Sequence, residues 1–225
     1  MNHKSLLDAI YANENDLLQQ VKALLAEGAD PNEKTEHGQT PLRVAAVLGR
    51  FDVVKCLFDA GGDPKHLNWT DLMHAVAYGS LDDVRLRLIA GDDFKARDYW
   101  ERTPLLLSIQ TGDVDKVGFF IEAGADLKDR GWRGKAPLEY AIQIDDANML
   151  CFLIGNGCDM EAFNEFGYTA LMEAADHGAI RCVNCLLEQG ANIHQQDRTQ
   201  FSQQTAIAHG ATLEVAEALL AYGAD

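Results

Sequence analysis

A glycine followed by a small residue and an acid recurs along this chain of 225 residues. The copies are Gly28-Ala29-Asp30, Gly61-Gly62-Asp63, Gly91-Asp92-Asp93, Gly124-Ala125-Asp126, Gly157-Cys158-Asp159, Gly190-Ala191-Asn192 and Gly223-Ala224-Asp225. Successive glycines lie 33, 30, 33, 33, 33 and 33 residues apart. Twelve residues after most of them comes a helix start, as at Thr40-Pro41-Leu42, Thr103-Pro104-Leu105, Ala136-Pro137-Leu138 and Thr169-Ala170-Leu171. Such a period describes stacked units, each too small to bury its own apolar face. The feature excludes a fold built around one central core.

Each unit reads as two short helices and an extended hairpin. Thr40 and Thr103 are placed to cap a helix, with Pro41 and Pro104 in the first turn, where a missing N–H is harmless. The first helix then presents Leu42, Ala45 and Ala46 and stops at Gly49. The second carries Phe51, Val53, Val54, Leu57 and Phe58 at helical spacing, a face that must be covered. Gly61 supplies the left-handed residue that ends it. Small residues at Ala45, Ala75, Ala141 and Ala174 let paired helices approach.

This pattern resembles the ankyrin repeat over about residues 4–225. The resemblance implies an all-α solenoid, a curved, elongated stack of helix-turn-helix units joined by β-hairpin loops. The chain reads as a single domain, 1–225, with units at about 4–35 (an N-terminal cap), 36–67, 68–98, 99–131, 132–164, 165–197 and 198–225 (a C-terminal cap). The departures are specific. The family's His after Thr-Pro-Leu is replaced by Arg43, Met73, Leu106, Glu139 and Met172. The interval between Gly61 and Gly91 is three residues short, which places a clipped hairpin around Lys65–Asn68. Asp145 stands where other units have the helix-ending glycine, and Asp tolerates the left-handed region. In the last unit Ser202-Gln203-Gln204 occupies the place of Thr-Pro-Leu.

Composition narrows the function. With 19 basic and 35 acidic side chains the net charge is −16, the wrong sign for neutralising phosphates, so nucleic acid is not the expected partner. Anionic membrane surfaces are disfavoured for the same reason, and no run approaches a bilayer-spanning length. The excess is uneven: residues 141–225 carry 2 basic and 12 acidic groups, a net of −10. The opening residues meet an acid at Asp8 before any apolar stretch, and the five cysteines are scattered, so no secretory signal is read and a reduced, cytoplasmic setting is expected.

Chemistry is sparse. Phosphate-cradling glycine loops, a nucleophile elbow and a His-Glu-x-x-His zinc motif are absent from the sequence. Cys182 and Cys185 align with the core-facing Val53 and Cys56 and read as buried apolar thiols, without metal or redox work. Asp82-Asp83, Asp92-Asp93 and Asp145-Asp146 sit at turns or helix starts, where positive helix ends favour them. No catalytic residue, metal or cofactor is expected, and the chain does not read as an enzyme.

The binding surface is the informative part. The resemblance implies that hairpin tips and first helices line one concave face. The tips carry Tyr99, Trp100 and Arg102, then Trp132, Arg133 and Lys135, then Phe166 and Tyr168, then Arg198 and Phe201. Tyr78 and His177 stand at the ends of first helices. Aromatics interleaved with arginine are typical of binding hot spots, whereas turn tips are ordinarily small and polar. The alternative is that the rings lie on neighbouring hairpins and stiffen the ladder. The expected function is a protein-binding module, monomeric when unbound. It would act as an inhibitor or masking protein of the immunity or antitoxin kind, with its acidic end meeting a basic patch. An adaptor bridging two proteins is the second reading.

Overall fold

Threonine hydroxyls open the first helix of four units: Thr40, Thr70, Thr103 and Thr169 accept from the backbone N–H of Arg43, Met73, Leu106 and Met172. Each thereby satisfies one of the donors that a helix start leaves orphaned. In the computed structural model, which describes residues 5–199, 204–210 and 212–224, these caps set the phase of the whole stack. The helices come in pairs: Leu6–Ala12 (α1) with Leu17–Ala26 (α2), Pro41–Val47 (α3) with Phe51–Asp59 (α4), and Asp71–Tyr78 (α5) with Leu81–Ile89 (α6). There follow Pro104–Thr111 (α7) with Val114–Glu122 (α8), Pro137–Gln143 (α9) with Ala147–Gly155 (α10), and Ala170–Asp176 (α11) with Ile180–Glu188 (α12). A 3-10 turn at Ala206–His209 and the helix Leu213–Ala221 (α13) complete the series.

The connecting loops are hairpin-like, each closed by one backbone bond. Thr35 N donates to Gln39 O, Asp98 N to Arg102 O, Gly131 N to Lys135 O and Asn164 N to Tyr168 O, at 2.9–3.0 Å. Among the described residues these loops are too short to form strands, and all regular structure is helical. Neighbouring loops are tied together by Tyr99 N to Leu67 O, Trp132 N to Trp100 O and Arg198 N to Gly167 O.

Two loops break the pattern, with opposite results. In the short interval, Pro64–His66 forms a 3-10 turn and Asn68 takes a left-handed φ of 54°. Here the apolar core divides. One cluster runs from Leu6 to Leu67 and a second from Leu72 to Leu219, and among the described residues only Trp69 packs against both. We call residues 6–67 the N-terminal lobe and 72–224 the array.

The last loop corrects the sequence reading. Asp197 N donates to Gln204 O at 2.8 Å, so this loop is longer by three residues and the helical segment starts after Thr205, not at Ser202 (Ser202 and Gln203 lie outside the described residues). In the earlier register Gln203 and Gln204 would occupy the positions of the buried Pro41 and Leu42. Ala206 stands there instead, 1% exposed, an apolar residue at a place where a buried amide would need partners.

Asp145 adopts φ 48°, as its place in the repeat requires, and its carboxylate accepts from Cys182 N at 3.0 Å and pairs with Arg181 at 3.1 Å. Cys182 is buried and free. Cys185 departs from expectation: it is disulfide-bonded to Cys151, linking α12 to α10 across a 6.7 Å Cα–Cα distance. Aligning units in sequence shows which cysteines face the core, but not that two of them on adjacent helices face each other.

Candidate protein-binding surface

The tips of successive loops bring rings and guanidinium groups into one stripe. Tyr99, Trp132 and Phe166 are 39%, 46% and 48% exposed. The Trp100 ring lies edge-on to both Tyr99 and Trp132, with centroids 5.1 Å apart in each case. Arg133 stands between Trp132 and Phe166, 5.3 and 5.2 Å from the two rings, and its own φ of 55° turns the chain at that tip. Farther along, Arg198 lies 3.9 Å above Phe163, and the half-buried Tyr168 ring is 4.7 Å from His209. Phe201 lies outside the described residues. Both readings of the rings therefore hold in part: they brace one another and still present large faces to solvent.

Three of the expected contact residues are corrected. Arg102 is buried, with its guanidinium paired to Asp98 at 2.6 Å in a site where both side chains are almost fully covered. Trp100 is 8% exposed, and its indole N–H is bonded to the Arg43 carbonyl. Neither is free to anchor a partner. Lys135 runs back along α9, donates to Gln143 Oε1 and lies 4.8 Å from the Tyr140 ring. Burial draws its ammonium down to about 8, against the opposing pull of Glu139 and Glu173. A loop motif shows which residue stands at a tip, but not whether another part of the chain covers it.

What covers Trp100 and Arg102 is the N-terminal lobe. The Val47 carbonyl at the end of its helix α3 accepts from Gln110 of α7 and Gln143 of α9, and Arg43 lies 3.7 Å above the Tyr99 ring. On the other side of the junction, Tyr78, 37% exposed, faces Trp69, which is also packed by Phe51, Phe58 and His74. The Asp98 carboxylate ties this junction together, accepting from Trp69 Nε1 as well as from Arg102 and the backbone N–H of Trp100. His177 is exposed at the end of α11, with Nδ1 3.0 Å from the Glu173 carbonyl.

A cavity of about 490 Å³ between loops 126–130 and 156–164 escaped the sequence reading. Leu138, Phe163 and Cys158 line it, with Glu139, Asn164 and Glu173. Asn164 Nδ2 donates to both carboxylates, at 3.2 and 3.1 Å. Burial raises the Glu139 carboxyl and pushes the Cys158 thiol up to about 11, so Cys158 is not a thiolate at neutral pH. Among the described residues, no helix is long and apolar enough to cross a membrane, and no group of three or more His, Cys, Asp or Glu is arranged to hold a metal.

The family pattern described as "Ankyrin repeats (3 copies)" matches residues 6–98, 72–164 and 144–225. The chain belongs to the ankyrin-repeat family. Ankyrin repeats are protein–protein interaction modules, which makes the exposed stripe a candidate contact surface. Over 60 residues the chain is 47% identical to the human mitochondrial disaggregase, covering 27% of this chain and 8% of that protein. Over 101 residues it is 32% identical to alpha-latroinsectotoxin-Lt1a of Latrodectus tredecimguttatus, covering 43% of this chain and 7% of the toxin. The chain thus spans under a tenth of the length of these curated relatives. Among solved structures, the ankyrin repeat domain of Bcl-3, described as a unique member of the IkappaB protein family, superposes with a TM-score of 0.59. Identity is 23%, covering 97% of this chain and 98% of that one, and the likeness establishes the fold.

Proposed function

We propose that this ankyrin-repeat chain is a masking protein that binds one protein partner and blocks part of its surface. The observation that carries the reading is the stripe of Tyr99, Trp132, Arg133 and Phe166, whose rings stay exposed while bracing one another. Pre-stacked rings lose little freedom on contact, which favours affinity. The acidic excess of residues 141–225, including the exposed Glu165, Asp176 and Glu188, matches a partner with a basic patch. An inhibitor of the immunity or antitoxin kind, its acidic face over a basic active site, is the concrete form. Burial of Trp100 and Arg102, and the engagement of Lys135 by Gln143 and Tyr140, narrow the contact set to Tyr78, Tyr99, Trp132, Arg133, Phe166, Tyr168 and His177.

The test is affinity capture with the full chain, followed by native mass spectrometry and a salt series. A single stoichiometric partner, lost with Trp132→Ala or Phe166→Ala and weakened by salt, supports the masking role. Two partners bound at once replace it with an adaptor. Binding that is indifferent to salt removes the electrostatic part.

A further inference from the structure

Four side-chain donors of the array converge on α3, three of them on its last two residues, Ala46 and Val47. Trp100 Nε1 donates to the Arg43 carbonyl at 3.1 Å and Arg102 Nη1 to that of Ala46 at 2.9 Å. Gln110 and Gln143 both donate through Nε2 to the Val47 carbonyl, at 3.0 and 2.7 Å. These pairs are 57, 56, 63 and 96 residues apart in the chain. In a regular solenoid each unit meets only its neighbours, so partners stand about one period apart. Helix α3 instead bonds to side chains of α7 and α9, beyond the next unit in the series.

The chemistry of the contact is that of a helix end. The last carbonyls of a helix lack internal donors and carry the negative end of its dipole. The groove gives the Val47 carbonyl two donors, Gln110 and Gln143, and adds Arg102 to the Ala46 carbonyl, which already accepts from Gly49 N. The Arg102 charge is already balanced by Asp98, so what the groove suits is a neutral carbonyl dipole and not a free anion. The fit is close. A Cβ added at Gly49, just beyond α3, would stand 3.4–3.5 Å from Gln110 and Ile144.

The donors belong to the array and the occupant to the N-terminal lobe, which has its own apolar core, is joined to the array in sequence by residues 68–70 and packs on the array's core through Phe51 and Trp69. We infer that the groove formed by Trp100, Arg102, Gln110 and Gln143 is a second docking site, for the carboxyl end of a partner's helix, and that α3 is an internal occupant holding it shut. This site is distinct from the exposed tips and does not rest on the masking role. A partner presenting a helix end of matching fit competes with the lobe, and the lobe swings away on the 68–70 connection.

The test uses the full chain and a fluorescently labelled synthetic peptide copying residues 37–50. Gly49→Asn retains a residue that accepts the positive φ of 73°, while its side chain must enter space held by Gln110 and Ile144. Gly28→Asn is the matched control, at φ 93° with nothing within 4 Å. A tethered lobe competes at an effective concentration on the order of millimolar, so Gly49→Asn should bind the peptide at least about tenfold more tightly than the unmodified chain or the control. The same variant should show a larger radius of gyration in X-ray scattering and new oxidation of Trp100. Adding Gln143→Ala should abolish most of the gain, while Phe166→Ala, which probes the tips, should leave peptide binding unchanged. An opened chain that ignores the peptide, or binds it equally well with Gln143→Ala, overturns the docking site. A lobe that stays shut in both Gly49→Asn and Gly49→Asn/Phe58→Ala overturns the gate.

Discussion

From α7 to α11, adjoining units meet through Leu105, Leu138 and Leu171 with Ala141 and Ala174 beside them, all members of one apolar core. Between α3 and the array, the meeting is made by Trp100, Arg102, Gln110 and Gln143 donating to main-chain carbonyls. The first kind of joint is non-directional and repeats wherever the unit repeats. The second depends on individual donors meeting individual acceptors, and it accompanies the short interval at which the apolar core divides. A change in loop length thus coincides with a change in the kind of joint, from packed apolar faces to single hydrogen bonds.

The contrast can be broken at either joint. Arg102→Ala removes the only cation from a site where Asp98 stays buried, and should destabilise the chain by about 3–5 kcal/mol, as breaking a buried pair does; urea denaturation followed by tryptophan fluorescence reads this, and a change under about 1 kcal/mol would show Asp98 to be satisfied by its other donors. Leu171→Ala empties a position that is 2% exposed and should cost roughly 2–5 kcal/mol. The same titration gives the answer, and a near-neutral result would mean that α11 does not carry the core. Trp132→Ala, on an exposed tip, should stay within about 1 kcal/mol, since the stripe is for contact and not for holding units together; a collapse of the fold would reverse that assignment.

The smallest effect is on the junction between lobes. Burial holds His74 below its ordinary 6.5, against a partial opposing pull from Asp71. The folded form thus prefers the neutral ring. The junction is at full strength above pH 6.5 and weakens as pH falls below it, because the proton binds more readily once His74 leaves Phe58 and Trp69. Denaturation midpoints taken at descending pH should fall in the unmodified chain and fall less in His74→Phe. Equal slopes would place the titrating group elsewhere.

The architecture was legible because it rests on period and punctuation. Gly61, Thr103-Pro104 and the apolar faces of paired helices specify local geometry that stacking then reuses, and even Asp145 in the left-handed region could be read from its place in the repeat. The clipped loop was also visible, as three missing residues near Lys65–Asn68. Its result was not, since nothing local in Arg43 to Gly49 marks it as the partner of Gln110 and Gln143. Arg102 illustrates the limit. At a tip, between aromatics, it has the composition of a contact residue, and only the three-dimensional path of α3 turns it into a buried structural one. The last loop differs: Ser202 has the composition of a cap in the repeat's register, but the helical segment begins after Thr205, where the apolar Ala206 takes the buried place.

Among the described residues, Trp69 alone packs against both apolar clusters. In a one-dimensional array the boundary between ordered and melted segments halts where coupling is weakest, and the division of the core marks that place here. An indole at such a boundary is a reporter built into the chain. Once Trp100 and Trp132, the other two tryptophans, are replaced by Phe, its emission responds to the loss of either half, so the order in which the halves melt can be followed without attaching a label.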